Sequence, residues 1–303
     1  MADPFTSAWD ALTAPGAQFE MVDAEVRGVP MRLFKNAPPS MRFFWELAAA
    51  YADRTYLVYE DERYTYAETD ALVRALAHHL RDVHDVQPGD RVAISMRNYP
   101  EWVIAYWAAI SLGAAAVGMN AWWTPAEMKY GLEDARPKVL IADAERVERV
   151  TQVLDEVRAG GKMHLLTVRY DGDLPDDATR WDDVIHPESA PAGLPAAEID
   201  PDDDACIFYT SGTTGFPKGA QLTHLGSVHN VLHIAFMQGV AAAAAAAENP
   251  APAAEGDAAA APPPPPVIMA PTPLFHVTAC NCLLHPATAA GGTLVLMYRW
   301  DPG

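Results

Sequence analysis

From about residue 56 to residue 169, short apolar runs alternate with amphipathic segments of helical length, and this alternation limits the choice of fold. Helix-like segments separate four strand-like runs, at residues 91–96, 114–119, 138–142 and 163–169. Strands joined through helices of this length form largely parallel sheets that are covered by helices on both faces. The sequence therefore predicts an α/β fold of mostly parallel sheets flanked by helices.

Local signals place several elements within this pattern. Two capping boxes, each a threonine followed three residues later by a glutamate, predict helices that begin after Thr65 and Thr124. Residues 56–59 and 63–65 flank a short acidic turn and predict a β-hairpin. Further helices are predicted over residues 100–113 and 144–158.

The composition excludes one class of partner. The chain carries 21 Lys and Arg against 40 Asp and Glu, which gives a net charge of −19. An acidic surface repels phosphate backbones, and the sequence contains no basic patch. We therefore expect no nucleic-acid partner.

An uncharged run at residues 102–123 has about the length of a membrane span. Gly113 falls in its middle and turn signals flank it, so we interpret it as a buried helix followed by a buried strand. The N-terminus has neither a basic start nor an apolar run, and three cysteines are too few for a disulfide framework. These features predict a cytoplasmic protein.

The organisation along the chain suggests three regions. Residues 1–40 show no sustained period and are predicted to form an N-terminal arm. Residues 41–200 are predicted to form a first α/β subdomain that ends in an acidic linker. Residues 201–303 are predicted to form part of a second α/β subdomain, and the alanine- and proline-rich residues 240–266 within it are expected to be a disordered insertion.

The strongest functional signal is the run CIFYTSGTTGFPKG, from Cys206 to Gly219. A β-prone stretch leads into a loop that is rich in hydroxyl groups and glycine and is closed by Lys218. Glycines let backbone N–H groups approach an anion, hydroxyls add donors, and the lysine adds a positive charge. The loop is typical of polyphosphate binding, although Pro217 and Gly219 do not fit a Walker A motif. The alternative is a flexible turn with an exposed lysine.

This run resembles the phosphate loop of adenylate-forming (AMP-binding) enzymes, which include acyl-CoA synthetases, luciferases and peptide-synthetase adenylation domains. The resemblance extends from about residue 41 to the end of the chain, apart from the insertion. The other matching segments are residues 65–68, 89–93, Asn98, 101–102 and the PLFH sequence at 273–276.

The resemblance implies a two-step reaction in which a carboxylate attacks the α-phosphate of ATP and the acyl-adenylate is then captured by coenzyme A. It implies that Mg²⁺ bridges the phosphates and that Lys218 and His276 are catalytic. His276 would lie beside the acyl carboxylate, whereas without the resemblance a hydrogen-bonded core histidine is the simpler interpretation. The residues that would bind the phosphates are Thr210, Ser211, Gly212, Thr213, Thr214, Gly215 and Lys218.

Residues 275–279 resemble fatty-acyl-CoA ligases most, so a fatty acid is the expected substrate, with peripheral membrane association through that substrate. The sequence stops before the family's adenine-binding motif and mobile C-terminal domain, so we expect an N-terminal part that is inactive alone. The alternative is a non-catalytic nucleotide-binding or interaction fragment.

Two clusters could suggest zinc, and for neither do we expect a metal. The Cys-x-Cys spacing at Cys280 and Cys282 points the thiols to different faces, so they rarely converge with His276 and His285. The pair at residues 229 and 233 has the spacing of a zinc-protease helix, but an asparagine replaces the general-base glutamate.

Overall fold

The computed structural model describes residues 3–210, 215–248 and 264–300. The chain divides into two compact units, one formed by Met1–Pro38 and Val228–Pro265 and the other by Pro39–Ser227 and Pro266–Gly303. This division differs from the predicted subdomains 41–200 and 201–303, because strands from both sides of residue 200 lie in one sheet.

The elements are as follows. The strands are β1 (Met21–Val26), β2 (Val29–Phe34), β3 (Thr55–Tyr59), β4 (Glu62–Thr65), β5 (Arg91–Ser95), β6 (Ala115–Gly118), β7 (Val139–Asp143), β8 (His164–Val168), β9 (Ala178–Arg180), β10 (Asp204–Thr210), β11 (Lys218–Thr223), β12 (Val267–Ala270) and β13 (Thr293–Leu296). The α-helices are α1 (Pro4–Thr13), α2 (Arg42–Leu47), α3 (Tyr66–Asp82), α4 (Pro100–Ser111), α5 (Pro125–Ala135), α6 (Ala144–Thr151), α7 (Leu154–Ala159), α8 (Trp181–Val184), α9 (His224–Glu248), α10 (Val277–Ala279) and α11 (His285–Ala289). Two 3₁₀ turns (Ala48–Tyr51 and Pro187–Ser189) and a π-helix (Cys280–Leu284) complete the set.

A seven-stranded sheet with the order β11-β10-β6-β5-β7-β8-β9 forms the centre of the larger unit. Its neighbours pair in parallel, except that β11 runs antiparallel to β10 at one edge. Apolar side chains from β6, β7 and β8, among them Val117, Leu140 and Leu165, pack with those of α5, α6 and α7 in one buried cluster. The predicted α/β class with mostly parallel strands is confirmed.

A second, four-stranded sheet in the same unit has the order β12-β13-β3-β4. It contains the predicted hairpin, because β3 and β4 pair antiparallel. It also joins distant parts of the sequence, since β3 pairs in parallel with β13.

Several local predictions hold. Thr65 and Thr124 cap α3 and α5, and both reciprocal hydrogen bonds of each capping box are present. The uncharged run at residues 102–123 contains the buried helix α4 and the buried strand β6, as interpreted. By length and composition alone, the apolar helix α9 is long enough to cross a membrane.

The single helix predicted over residues 144–158 is wrong. The chain leaves helical geometry at Val153, which has φ −128° and ψ 5°, and this residue separates α6 from α7. Val150 and Thr151 precede the break, and β-branched side chains lose rotamer freedom in a helix. A local cluster of such residues therefore weakens the helix at this point.

The smaller unit shows that the predicted arm has regular structure. Asp3 caps α1 by accepting hydrogen bonds from the N–H groups of Phe5 and Thr6. Strands β1 and β2 pair antiparallel around a turn at Arg27 and Gly28, both of which have positive φ. Two consecutive residues with positive φ are typical of a type I′ hairpin turn, which glycine favours.

The predicted disordered insertion begins too early in the sequence. Helix α9 continues through Glu248, and Val240 is fully buried with Phe19, Phe34 and Phe236 in the core of the smaller unit. The run of alanines after Val240 is interpreted from the sequence as a low-complexity segment, but alanine is also the residue with the strongest helix propensity. Residues 249–263 lie outside the described part of the chain.

Candidate active site

The candidate site lies at the carboxyl ends of parallel strands. In the seven-stranded sheet β10 pairs with β6, and β6 pairs with β5, so the segments that follow these strands leave the sheet along one edge. Open α/β sheets bind ligands outside the carboxyl ends of their strands. The segment after β10 is the predicted phosphate loop.

The base of this loop is a hairpin. Thr210 ends β10 and pairs with Lys218, the first residue of β11. The Thr210 hydroxyl donates to the Lys218 carbonyl at 3.4 Å, and both side chains are exposed. Lys218 forms no ion pair with any residue that the structure describes, so its ammonium group is available to an anion.

The far side of the loop needs a glycine. Gly215 has φ +96°, a left-handed conformation that side chains rarely adopt. The exposed ring of Phe216 stacks on Tyr130 with centroids 5.0 Å apart. Of the predicted phosphate-binding residues, the structure therefore brings Thr210, Gly215 and Lys218 together. The remaining ones, Ser211, Gly212, Thr213 and Thr214, lie outside the described residues.

His276 follows β12 and is exposed, so the alternative interpretation as a core histidine is wrong. It caps the short helix α10, because its Nδ1 accepts the N–H of Thr278 at 3.2 Å. A ring that accepts at Nδ1 while neutral carries its proton on Nε2. His276 can therefore donate a hydrogen bond from Nε2 to a ligand oxygen.

A buried asparagine fixes the segment that leads to His276. Asn98 Oδ1 accepts the N–H of Leu274 at 2.8 Å. Its Nδ2 donates to the carbonyls of Thr272, at 3.0 Å, and Ala270, at 3.3 Å. Asn98 entered the sequence analysis only through the family resemblance, and the structure shows that it holds the backbone before His276.

Gly118 explains how the two parts of the site come together. A Cβ atom at this position would lie 2.9 Å from the ring of Phe208 and 3.1 Å from the Cα of Phe275. Phe208 lies on the strand that enters the phosphate loop, and Phe275 directly precedes His276. The sequence analysis missed Gly118, although a glycine inside an apolar strand often marks close backbone approach.

Acidic groups along the same edge are already paired. Arg169 contacts both oxygens of Glu62, at 2.8 Å each, and its Nε lies 2.9 Å from Glu101. Arg169 lowers the pKa of Glu62, whereas burial raises the pKa of Glu101. Both carboxylates thus share one arginine, which reduces the negative charge that an anionic ligand would meet at this edge.

Asp143 and Arg146 form the second pair at this edge. Their side chains are buried, with Arg146 Nη1 3.0 Å from the carboxylate. Burial raises the pKa of Asp143 in spite of this partner. The same carboxylate accepts the backbone N–H of Arg97 at 3.0 Å, so it helps to position the segment after β5.

The histidines and cysteines of the two clusters that could suggest zinc do not form one metal site among the described residues. Cys280 Sγ lies 3.6 Å from His285 Nε2 in the interior, whereas Cys282 and His276 are exposed. In the smaller unit, His233 Nδ1 lies 2.6 Å from the carbonyl of His229. Across the described residues, no group of three His, Cys, Asp or Glu side chains could hold a metal ion.

Comparison with known proteins adds to this geometry. The chain matches the AMP-binding enzyme family over residues 44–302. It is 34% identical to 4-coumarate–CoA ligase 3 of Oryza sativa subsp. japonica over 242 residues, which is 80% of this chain and 38% of the relative. The chain thus spans about two fifths of that relative's length.

Two solved structures share the fold. A Mycobacterium tuberculosis fatty acyl CoA synthetase is 26% identical, with a TM-score of 0.62 over 86% of this chain and 45% of that one. The anthranilate CoA ligase AuaEII, solved in complex with anthranoyl-AMP, has a TM-score of 0.68 over 87% of this chain and 46% of that one. At 23% identity, the second likeness concerns the fold alone.

Proposed function

Because the chain belongs to the AMP-binding enzyme family, we propose that it carries the phosphate-binding part of an acid–CoA ligase. Such an enzyme activates a carboxylic acid with ATP and transfers the acyl group to coenzyme A. The observation that carries the proposal is the packing of Phe208 and Phe275 on Gly118. This packing brings the strand that leads to Lys218 next to the segment that ends at His276.

In the first step, a carboxylate oxygen of the acid forms a bond with the α-phosphorus of ATP. The bond from that phosphorus to the bridging oxygen breaks, and pyrophosphate leaves with the electron pair. Lys218 stabilises the charge that develops on the leaving group, and His276 Nε2 donates to an oxygen of the acid or of the adenylate. Positioned charges of this kind supply most of the catalysis in phosphoryl chemistry.

In the second step, the thiol of coenzyme A gives its proton to water and its sulfur forms a bond with the acyl carbon. The bond from that carbon to the phosphate oxygen breaks, and AMP leaves with the electron pair. Mg²⁺ would accompany ATP and neutralise phosphate charge. The described residues offer no cluster of three side chains for a metal ion, so the charge that they supply to the phosphates is that of Lys218.

The substrate is proposed as an acid with an apolar body. Residues 275–279 support a fatty acid, and the names of similar proteins include both a fatty acyl CoA synthetase and 4-coumarate–CoA ligases. We further propose a cytoplasmic protein that meets membranes only peripherally, through an acyl substrate.

Carboxylate-dependent exchange of labelled pyrophosphate into ATP tests this function. The chain would be assayed alone and with an added C-terminal segment of a full-length relative, with decanoate, 4-coumarate or no acid. Exchange is expected only with the added segment and an acid. ATP binding without exchange under every condition would instead support the non-catalytic alternative.

A further inference from the structure

A small cleft lies beside the segment that leads to His276. Its volume is about 130 Å³, and its lining includes Arg97, Trp122, Phe275 and Tyr298. Arg97 follows β5, and the backbone hydrogen bond to Asp143 fixes its position. Its guanidinium carbon lies 4.8 Å from the ring centroids of both Trp122 and Tyr298.

The guanidinium of Arg97 differs from those of Arg146 and Arg169, which have carboxylate partners. Among the described residues, no carboxylate lies within ion-pair distance of Arg97, and its buried Nε has no acceptor. The two aromatic rings attract the positive charge, but no residue in the described part of the chain accepts a hydrogen bond from the guanidinium. The cleft therefore presents a cation whose donors are unused.

The ligand that fits is defined by charge and size. A planar fork of N–H donors matches a carboxylate. Apart from Asn98 and a second arginine, Arg299, the remaining walls are apolar, so the body of the ligand must be apolar as well. Sites for drug-sized ligands measure about 300–1,000 Å³, so a cleft of about 130 Å³ suits one ring rather than a nucleotide.

We propose that this cleft binds a small arylcarboxylate, with the carboxylate on Arg97 and the ring against Trp122, Phe275 and Tyr298. The proposal rests on the proposed function only in taking this ligand as the acid that is activated, and between the two acids considered there it selects an arylcarboxylate over a fatty acid. Binding itself requires neither ATP nor catalysis, so it can be tested separately.

Titration of the 303-residue chain with benzoate, followed by tryptophan fluorescence, is the direct test, because Trp122 and Trp300 line the cleft. Benzoate should bind saturably. Benzyl alcohol, which has the ring without the charge, and inorganic phosphate, which has the charge without the ring, should bind at least about tenfold more weakly. Decanoate, whose chain exceeds the cleft, should also bind more weakly than benzoate.

The variant Arg97→Gln should weaken benzoate binding by about tenfold to a hundredfold, since hydrogen bonds to a charged partner are lost. Arg54→Gln is the matched control, because Arg54 also lies over a ring, that of Tyr51 at 4.7 Å, but does not line the cleft. Far-UV circular dichroism checks that both variants fold.

Several outcomes would overturn the inference. These are the absence of saturable benzoate binding, equal binding of benzyl alcohol, and unchanged affinity in Arg97→Gln. The comparison of ligands on the unaltered chain decides the matter even if the variant does not fold. Benzoate binding without any pyrophosphate exchange would support the cleft and reject the proposed function. Exchange without benzoate binding would support the proposed function and reject the cleft.

Discussion

The polar side chains at the carboxyl ends of the strands in the seven-stranded sheet differ from those at the amino ends. We call these two sides of the sheet the carboxyl edge and the amino edge. At the carboxyl edge, Arg169 and Arg146 form ion pairs with glutamate and aspartate partners. At the amino edge, three imidazole rings contact one another. His84 stacks on His164 with centroids 4.1 Å apart, and its Nε2 lies 3.2 Å from Nε2 of His79.

The amino edge depends on rings without charge. Burial lowers the pKa of His79 and of His164 to about 4, and it lowers the pKa of His84 as well. Arg158 lowers the pKa of His164 further, against a smaller opposing effect of Asp177. The difference teaches that a cluster of histidines that resist protonation in the folded chain lies opposite the candidate site.

The largest expected effect separates chemistry from stability at the carboxyl edge. In a protein supplied with the C-terminal segment, Lys218→Ala should raise the barrier to acyl-adenylate formation by about 2–4 kcal/mol, because a charge near the leaving group is lost. Lys218 is exposed, so the free energy of unfolding should change by less than about 0.5 kcal/mol. Pyrophosphate exchange and urea denaturation measure the two effects, and normal exchange would assign Lys218 to the surface.

Next in size is the loss of Asn98. Asn98→Ala leaves up to three backbone groups before His276 without partners and should lower the free energy of unfolding by about 2–3 kcal/mol. Asn120→Ala is the matched control, since Asn120 makes one side-chain hydrogen bond, to the N–H of Trp122, and should cost about 1 kcal/mol or less. Equal losses in the two variants would show that Asn98 does not anchor the segment.

The acid response tests the other edge. A histidine whose pKa is lowered in the folded state takes up a proton more readily in the unfolded state. The contribution of the cluster to the free energy of unfolding therefore falls as the pH is lowered from about 6.5 to about 4, and it levels off below pH 4. Since the rings are half-buried, we expect about 1–2 kcal/mol from the cluster rather than the full linkage energy. Burial also lowers the pKa of His224 to about 4 and that of His285 to about 3, so these residues add to the same dependence. His84→Phe keeps a stacked ring without a proton site and should reduce the slope in urea denaturation without abolishing it. An unchanged slope would place the acid sensitivity elsewhere.

The smallest effect concerns the tip of the phosphate hairpin. Phe216→Ala removes the stack on Tyr130, and because Phe216 is 63% exposed the cost should be about 0.5 kcal/mol. Leu274→Ala, in the anchored segment, serves as the contrast and should cost more than Phe216→Ala, because Leu274 is fully buried. Thermal midpoints would rank the two variants. A similar shift in both would show that the tip of the hairpin contributes as much to stability as the anchored segment.

Local signals allowed much of the fold to be predicted. The capping boxes at Thr65 and Thr124 and the β3–β4 hairpin depend on residues a few positions apart, and the sequence shows them directly. The helix break at Val153 follows β-branched residues that the sequence shows, but their effect was missed. The extension of α9 past Val240 could not be predicted in the same way, because the burial of Val240 depends on residues far along the chain. The pairing of β3 with β13 likewise depends on tertiary packing.

The site divides in the same way. Thr210, Gly215 and Lys218 were predicted because they share one short motif, and they do share one hairpin. The anchoring of Leu274 by Asn98 spans 176 residues, so spacing along the chain gives no hint of it. Whether Arg97 has a carboxylate partner depends on the residues that the fold places around it. Only the structure shows that none of the described residues supplies one.

The four-stranded sheet cannot form until both β3 and β13 have been synthesised. Thr293 Oγ1 donates to the carbonyl of Thr55 across 238 residues of sequence, where β13 adjoins β3. Ribosomes add about 5–20 residues per second, so β3 waits roughly 10–50 s for its neighbour. During that interval the nascent chain presents an open strand edge, which is a template for aggregation. This sheet therefore cannot be completed before β13 has been synthesised, and we expect chaperones to protect β3 until Leu296 has emerged.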